Sequence, residues 1–349
     1  DQIILYDGNI FSSSKQRQLV LISLLILLLN LVSCQRKDET YVCPLCKLAC
    51  DHLTFSEPGY CPECKMKLVA LDELTSGTKA LKDMAFQEAT GKFSLQNANN
   101  TSKSIIVHYY LPDQFSDSSS VVMVLPGAGR NGDDYRDAWI ESAKKYSLLV
   151  LSLEYPEHDY PGFWSYNLGG MIKNVNVETK SFSVNKDSSQ WIFHDFDQNR
   201  NVLFCHSAGC QILHRLALFG SSIKTRNIIA ANSGWYTLPA DTVPFPYGLK
   251  GLSSKQKEVG FDKSLTILLG EFDNADEQRG HLRRSPEVDI QGTHRLARGK
   301  YFYSTSISIA RKLSKKFNWK LLIAPNIGHD YKSISLEAAD YLYSNNNLI

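Results

Sequence analysis

Val202-Leu-Phe-Cys205-His206-Ser207-Ala208-Gly209-Cys210 is the stretch from which the rest of the chain is read. An apolar run of β type stops at a small, sharp turn centred on Ser207. Gln211 to Phe219 then reads as an amphipathic helix closed by Gly220. Strand, tight turn with a central serine, and helix form the context in which a G-x-S-x-G-like string becomes a nucleophile elbow. The turn needs small neighbours, because its strained backbone lies close to both strand and helix. Cys205 stands where the pattern has its first glycine.

Further apolar runs lie on either side. Lys92 to Leu95 and Ser104 to Tyr110 read as an edge hairpin; Val121 to Leu125 and Leu148 to Leu153 read as buried strands with a helix, Asp134 to Tyr146, between them. Asn227 to Ala231, Leu265 to Leu269 and Lys320 to Ala324 follow, and Ser304 to Phe317 is helix-like. Alternating strands and helices predict a doubly wound, mainly parallel sheet, in which ligands sit at the C-terminal ends of the strands. Ser207, Asp273 and His329 each follow one of those ends. Their order, Ser then Asp then His, is that of the α/β-hydrolase fold. A serine hydroxyl needs a base to take its proton, and an imidazole titrating near neutrality can serve. A carboxylate on the far ring nitrogen fixes the tautomer and stabilises the imidazolium. Pro126-Gly-Ala-Gly129 is expected to supply an oxyanion-hole N–H from Ala128 or Gly127, with a second from Ala208.

Several neighbours compete for these roles. Asp276 and Asp330 are rival acids, though Asp330 is too close in sequence to His329 to reach its far nitrogen easily. His206 and His214 read as structural. Tyr155 to Gly170 is either a hydrophobic lid or an excursion from the sheet. Arg283, Arg284 and Arg295 could meet an anionic substrate or pair with acids such as Glu287 and Asp289. Only Ser188 to Asp197 can supply a helix before the Val202 strand, so one face of the sheet is expected to be thinly covered.

The chain of 349 residues, 43% hydrophobic, is ample for one large core plus something small. A net charge of +2 gives no sign of a nucleic-acid partner, and 17 Tyr and 16 Phe argue against long disorder. Six of the eight cysteines lie between residues 34 and 64, a cluster that suggests processing and a local metal site rather than a disulfide framework. Residues 1–14 hold no methionine, the first being Met66, and are set aside from the fold reading. Lys15 and Arg17 precede an apolar run, Leu19 to Val32, whose 14 residues fall short of the roughly 20 that a membrane span needs. A basic segment, a short apolar core and small residues at its end form an export signal.

Cys43-Pro-Leu-Cys46 and Cys61-Pro-Glu-Cys64 are two C-x-x-C pairs with 14 residues between them. Two such knuckles make a tetrahedral Cys₄ site of the structural zinc kind, whose metal would supply the folding energy of so short a segment. Thiolates suit zinc or Cu(I) alike. Cys50 and His52 are spare ligands, and a pair of disulfides is the alternative in an oxidising compartment.

Three resemblances bear on these readings. Leu31-Val-Ser-Cys34 resembles the lipobox of bacterial lipoproteins, which implies lipidation of Cys34. Gln35 follows, so there is no Asp to resemble the inner-membrane retention signal, and an outer-membrane anchor is the expectation. Tyr41 to Val69 resembles the small heavy-metal-binding domain found beside metal transport proteins, with Leu45-Cys46 where that family commonly has Met-His. His206-Ser-Ala-Gly-Cys-Gln, Asn232-Ser-Gly-Trp-Tyr-Thr-Leu-Pro239, Phe245-Pro-Tyr-Gly-Leu249, Leu269-Gly-Glu-Phe-Asp273, Leu282-Arg-Arg-Ser-Pro286 and Gln291-Gly-Thr-His-Arg295 together resemble secreted bacterial α/β-hydrolases related to polyhydroxybutyrate-depolymerase-like esterases. This implies a serine esterase that takes a small or polymeric ester, needs no cofactor for hydrolysis, and uses Ser207, Asp273 and His329. The expected organisation is a lipoprotein signal over residues 1–33, a zinc-ribbon-like Cys module over 34–70, a linker over 71–87 and an α/β-hydrolase domain over 88–349. The rival expectation is a metal-binding lipoprotein whose hydrolase domain is a catalytically degenerate scaffold, Cys205 being one reason to doubt its rate.

Overall fold

A computed structural model of the chain describes residues 40–42, 53–63, 65, 68–71, 89–97, 100–116, 119–176, 181–185, 192, 201–219, 225–254, 257–275 and 282–344. The chain divides into two compact units, Asp1–Ala85 and Phe86–Ile349. In the first, β1 (Tyr41–Val42) pairs antiparallel with β2 (Thr54–Phe55) and with β3 (Val69–Ala70). Cys61 and Leu68 are its buried pair, with Tyr41 and Phe55 packed on them. The proposed signal segment and Cys34, Cys43, Cys46 and Cys64 lie outside the described residues, as do Cys50 and His52. Among the described residues no helix is long and apolar enough to cross a membrane.

The second unit opens with the expected hairpin, β4 (Thr90–Asn97) against β5 (Asn100–Tyr110). β6 (Val121–Leu125) leads through α1 (Gly132–Asp137) and α2 (Ile140–Tyr146) to β7 (Leu149–Glu154). The single predicted helix 134–146 is thus two, broken before Ile140. A short helix α3 (Gly162–Ser165) and a separate hairpin, β8 (Ile172–Asn176) and β9 (Ser181–Val184), follow. Then come β10 (Asn201–His206), α4 (Ala208–Phe219), β11 (Asn227–Ala231), β12 (Leu265–Gly270), α5 (Pro286–Asp289), α6 (Arg295–Lys312), β13 (Lys320–Ala324) and α7 (Tyr331–Tyr343). Helix α6 begins nine residues before the predicted start, and α7 was not anticipated.

The main sheet runs β13-β12-β11-β10-β6-β7-β5-β4, parallel from β13 to β7 and antiparallel at β5 and β4. The period of two along β10 explains why it is apolar throughout. Leu203 and Cys205 pack with α4 and α6 on one face, and Val202 and Phe204 with α1, α2 and α7 on the other. Trp139, fully buried, stands edge-on to Phe204 with ring centroids 5.0 Å apart. The segment 188–197, expected to cover one face thinly, lies outside the described residues except Ile192, which is buried.

Candidate active site

The elbow begins where β10 ends. Ser207 has φ +55°, a left-handed conformation that costs an L-residue about 1–2 kcal/mol. The surroundings hold it there. Ser207 N–H donates to Ala231 O at 3.0 Å and Gly209 N–H to Pro126 O at 3.1 Å. A Cβ on Gly209 would stand 2.5 Å from Pro126 O and 2.6 Å from Leu125 O, so the close approach of helix to strand admits only glycine. Cys205 departs from its sequence reading. It is not a small stand-in for glycine but one half of a disulfide with Cys210.

His329 and Asp273 come from loops that are stitched together. Phe272 N–H donates to Ile327 O at 2.8 Å and Asn326 N–H to Glu271 Oε2 at 2.9 Å. Asn232, itself at φ +51°, accepts from Gly270 N–H (2.8 Å) and donates to Gly328 O (3.2 Å). A Cβ on Gly270 would meet Ile327 O at 2.5 Å. The loops meet so that His329 Nδ1 lies 2.8 Å from Asp273 Oδ2 and Nε2 lies 3.1 Å from Ser207 Oγ. A carboxylate can only accept, so the ring proton sits on Nδ1 and Nε2 is left to accept the serine hydroxyl. Asp273 is buried, and its second oxygen faces Arg295 Nη1 at 3.6 Å. Arg295 therefore stands behind the acid, while Asp289 is paired with Arg284 and Arg298. Asp330 caps α7 through Lys332 N–H and Ser333 N–H. Asp276 lies outside the described residues.

The other side of Ser207 is built from neutral groups. The Gly127 backbone lies against the Tyr135 hydroxyl and favours the phenolate. Burial outweighs it and pushes the Tyr135 phenol well above its ordinary range. The phenol O–H is then free to donate to His206 Nδ1 at 2.9 Å. Burial, then the neighbouring His329 and Arg295, hold His206 neutral, its pKa well below the ordinary histidine value. Its ring lies 4.5 Å from that of His329. Of the three expected oxyanion residues, Gly127 lies beside the nucleophile, a Cβ on it coming 3.6 Å from that of Ser207, and Ala208 is the first residue of α4.

Three residues that the sequence did not single out hold this loop. Tyr166, buried, donates to Pro126 O at 2.7 Å. Arg130 donates to Tyr155 O, Tyr160 O and Gly162 O, and its guanidinium stacks 4.9 Å from the Tyr166 ring. Tyr135 is the third, its hydroxyl lying against the Gly127 backbone. The segment after Tyr155 is accordingly a packed excursion anchored on the β6 loop, with Tyr155, Tyr160 and Tyr166 buried and Phe163 exposed. His214 bonds in both directions, Nδ1–H to Cys210 O (2.7 Å) and Nε2 from Thr237 N–H (2.9 Å), which ties α4 to the chain after β11.

No family model and no curated protein matches the chain. Solved structures do. The chain is similar to poly(aspartic acid) hydrolase-1 from Sphingomonas sp. KT-1, at 34% identity and a TM-score of 0.66 over 73% of this chain and 99% of that one. It is also similar to LpqC, a poly(3-hydroxybutyrate) depolymerase from Bordetella parapertussis, at 29% identity and a TM-score of 0.65 over 74% of this chain and 91% of that one. Sheet order and sequence identity agree: the chain belongs to the polyhydroxybutyrate-depolymerase-like α/β-hydrolases, the family of poly(aspartic acid) hydrolase-1.

Proposed function

We propose that the protein is a serine hydrolase that cleaves a carboxylic ester through an acyl-enzyme. The observation that carries this reading is the unbroken hydrogen-bonded chain Ser207–His329–Asp273 at the ends of β10, β13 and β12. Ser207 Oγ attacks the ester carbonyl while His329 Nε2 takes its proton. Asp273 holds the ring in its tautomer and stabilises the imidazolium. Ala208 N–H, with that of Ala128 or Gly127, receives the oxyanion. His329 returns the proton to the departing alcohol, and water, activated by the same base, releases the acid. Its relatives act on poly(aspartic acid) and poly(3-hydroxybutyrate), which supports a substrate whose carboxyl derivatives repeat along a polymer. A fluorophosphonate probe should label the wild type and not Ser207→Ala; equal labelling of both would remove Ser207 as nucleophile.

The sequence supports an exported protein anchored by a lipid on Cys34, and mass spectrometry of the processed N-terminus tests it. Zinc, or copper, held by Cys43, Cys46, Cys61 and Cys64 is the companion proposal. Cys61 suits it: its thiol is buried and free, and Lys65 N–H closes a turn on Cys61 O (3.0 Å) with Lys65 at φ +61°. Metal analysis of the reduced, purified protein should find about one ion per chain.

A further inference from the structure

The disulfide between Cys205 and Cys210 has no part in the chemistry just described, yet it encloses the nucleophile. Cys205 is the fifth residue of β10 and Cys210 the third of α4, with Cα atoms 5.0 Å apart. Only His206, Ser207, Ala208 and Gly209 lie between them, which is the whole turn. A disulfide that secures a fold does so by closing a long loop, and its effect grows with loop length. This one closes the shortest loop that still contains the elbow, so its constraint falls on the turn. The hydrogen bonds of Ser207 and Gly209 tie the elbow to β11 and to the β6 loop. The bridge is what joins its two arms, strand and helix, to each other.

The reduced form has a way to fold. Ile229 O lies 3.3 Å from Cys205 Sγ and Ala231 O lies 3.1 Å from Cys210 Sγ, where thiol S–H groups can donate. Ala231 N–H donates to Cys210 Sγ at 3.0 Å. Two buried thiols would therefore keep hydrogen-bond partners, and opening the bridge would release the turn without opening the core.

We propose that the Cys205–Cys210 bridge is a positioning device that sets Ser207 for attack, so that the nucleophile reaches its full rate only after the two thiols are oxidised. This rests on the reading of Ser207 as nucleophile. The oxidation is thiol–disulfide exchange with a small or protein disulfide. One cysteine thiolate attacks the oxidant and expels its first thiol. The second cysteine attacks the mixed disulfide, forms the Cys205–Cys210 bond and expels the second thiol. Two electrons and two protons leave the chain and reduce one oxidant disulfide to two thiols. Both sulfurs are wholly buried in the folded unit, so the exchange precedes or accompanies folding, in an oxidising compartment. The exported location proposed above provides one.

The test uses the full chain, refolded once with oxidised glutathione and once with a phosphine reductant, beside the Cys205→Ala/Cys210→Ala variant. Peptide mapping reports the bridge, circular dichroism the fold, and fluorophosphonate labelling and p-nitrophenyl ester turnover the elbow. The expected result is a folded reduced protein whose kcat falls tenfold or more with KM within twofold. The double variant should be equally slow and no longer respond to reductant, which separates this pair from the six N-terminal cysteines. If the double variant does not fold, oxidised and reduced wild type still decide. Equal labelling rates in those two, or free thiols at 205 and 210 in active protein, would overturn the proposal. If the bridged wild type is not labelled at all, the reading of Ser207 fails first and takes this one with it.

Discussion

On one side of Ser207 stand His329 and Asp273, a base and a carboxylate carried by the loops after β13 and β12, with the Arg295 cation behind them. On the other side stand Gly127, Tyr135 and His206, a peptide group, a phenol kept protonated and an imidazole kept neutral, all buried. In the proposed mechanism the first flank is made of side chains that gain or hold charge during turnover. The second uses neutral side chains to aim a backbone loop. Charge is placed where a proton must move, and polarity without charge where only a donor direction must be kept. The two flanks should therefore fail differently when cut.

The largest losses belong to the charged flank. His329→Ala removes the base, and kcat for a p-nitrophenyl ester should fall by roughly 10⁴ or more with little change in fold. Asp273→Asn keeps shape but turns a donor toward His329 Nδ1 and reverses the tautomer, for a loss on the order of 10³–10⁴. It also leaves Arg295 beside a neutral group in a site where both side chains are 6% exposed. Some loss of stability should therefore accompany the loss of rate, visible as a lower urea midpoint. A loss of only a few-fold in Asp273→Asn would mean that the acid is elsewhere.

Tyr135→Phe probes the neutral flank. It strands His206 Nδ1 in a buried place, a cost of about 1–3 kcal/mol. Part of that appears in stability and part as a shift of the loop at Gly127, which lies against the Tyr135 hydroxyl. The expected kcat is lower by about tenfold, with KM nearly constant. A loss as deep as that of Asp273→Asn would erase the distinction between the flanks. Tyr166→Phe, one layer further out, removes the donor to Pro126 O and should cost stability by about 1–2 kcal/mol with a smaller effect on rate.

The two flanks also differ in how far they could be read from residues alone. The charged one was legible because its parts are titratable side chains at the ends of apolar runs. Val121–Leu125, Asn227–Ala231 and Lys320–Ala324 fall where periodicity puts them. The neutral flank was not, because a tyrosine donating to a carbonyl leaves no pattern: Tyr135 and Tyr166 are two of 17 tyrosines. The Arg130 anchors are backbone oxygens on a segment with no period of its own. Asn232 carries no such signal either, since its clamp on Gly270 and Gly328 exists only once three strand ends are side by side. Cys205 misled because spacing cannot distinguish a residue tolerated for its size from one with a partner five positions on.

The smallest effect is a pH dependence of stability, shared by His206 of the neutral flank and His214 on α4. His206 and His214 are both held well below the ordinary histidine pKa, chiefly by burial, with Arg215 adding to the effect on His214. In the unfolded chain each returns to about 6.5. Below that pH the unfolded state binds protons that the folded state refuses. Stability should therefore be level above about pH 6.5 and fall as the pH drops, by up to about 1.4 kcal/mol per pH unit for each histidine. Urea unfolding between pH 7 and 5 reads that slope. His214→Gln keeps a donor for Cys210 O and an acceptor for Thr237 N–H without a titrating ring, so it should remove about one proton from the slope and leave the ester turnover near that of the wild type. An unchanged slope in His214→Gln would mean that the acid sensitivity arises elsewhere, with His206 the remaining buried histidine of the pair.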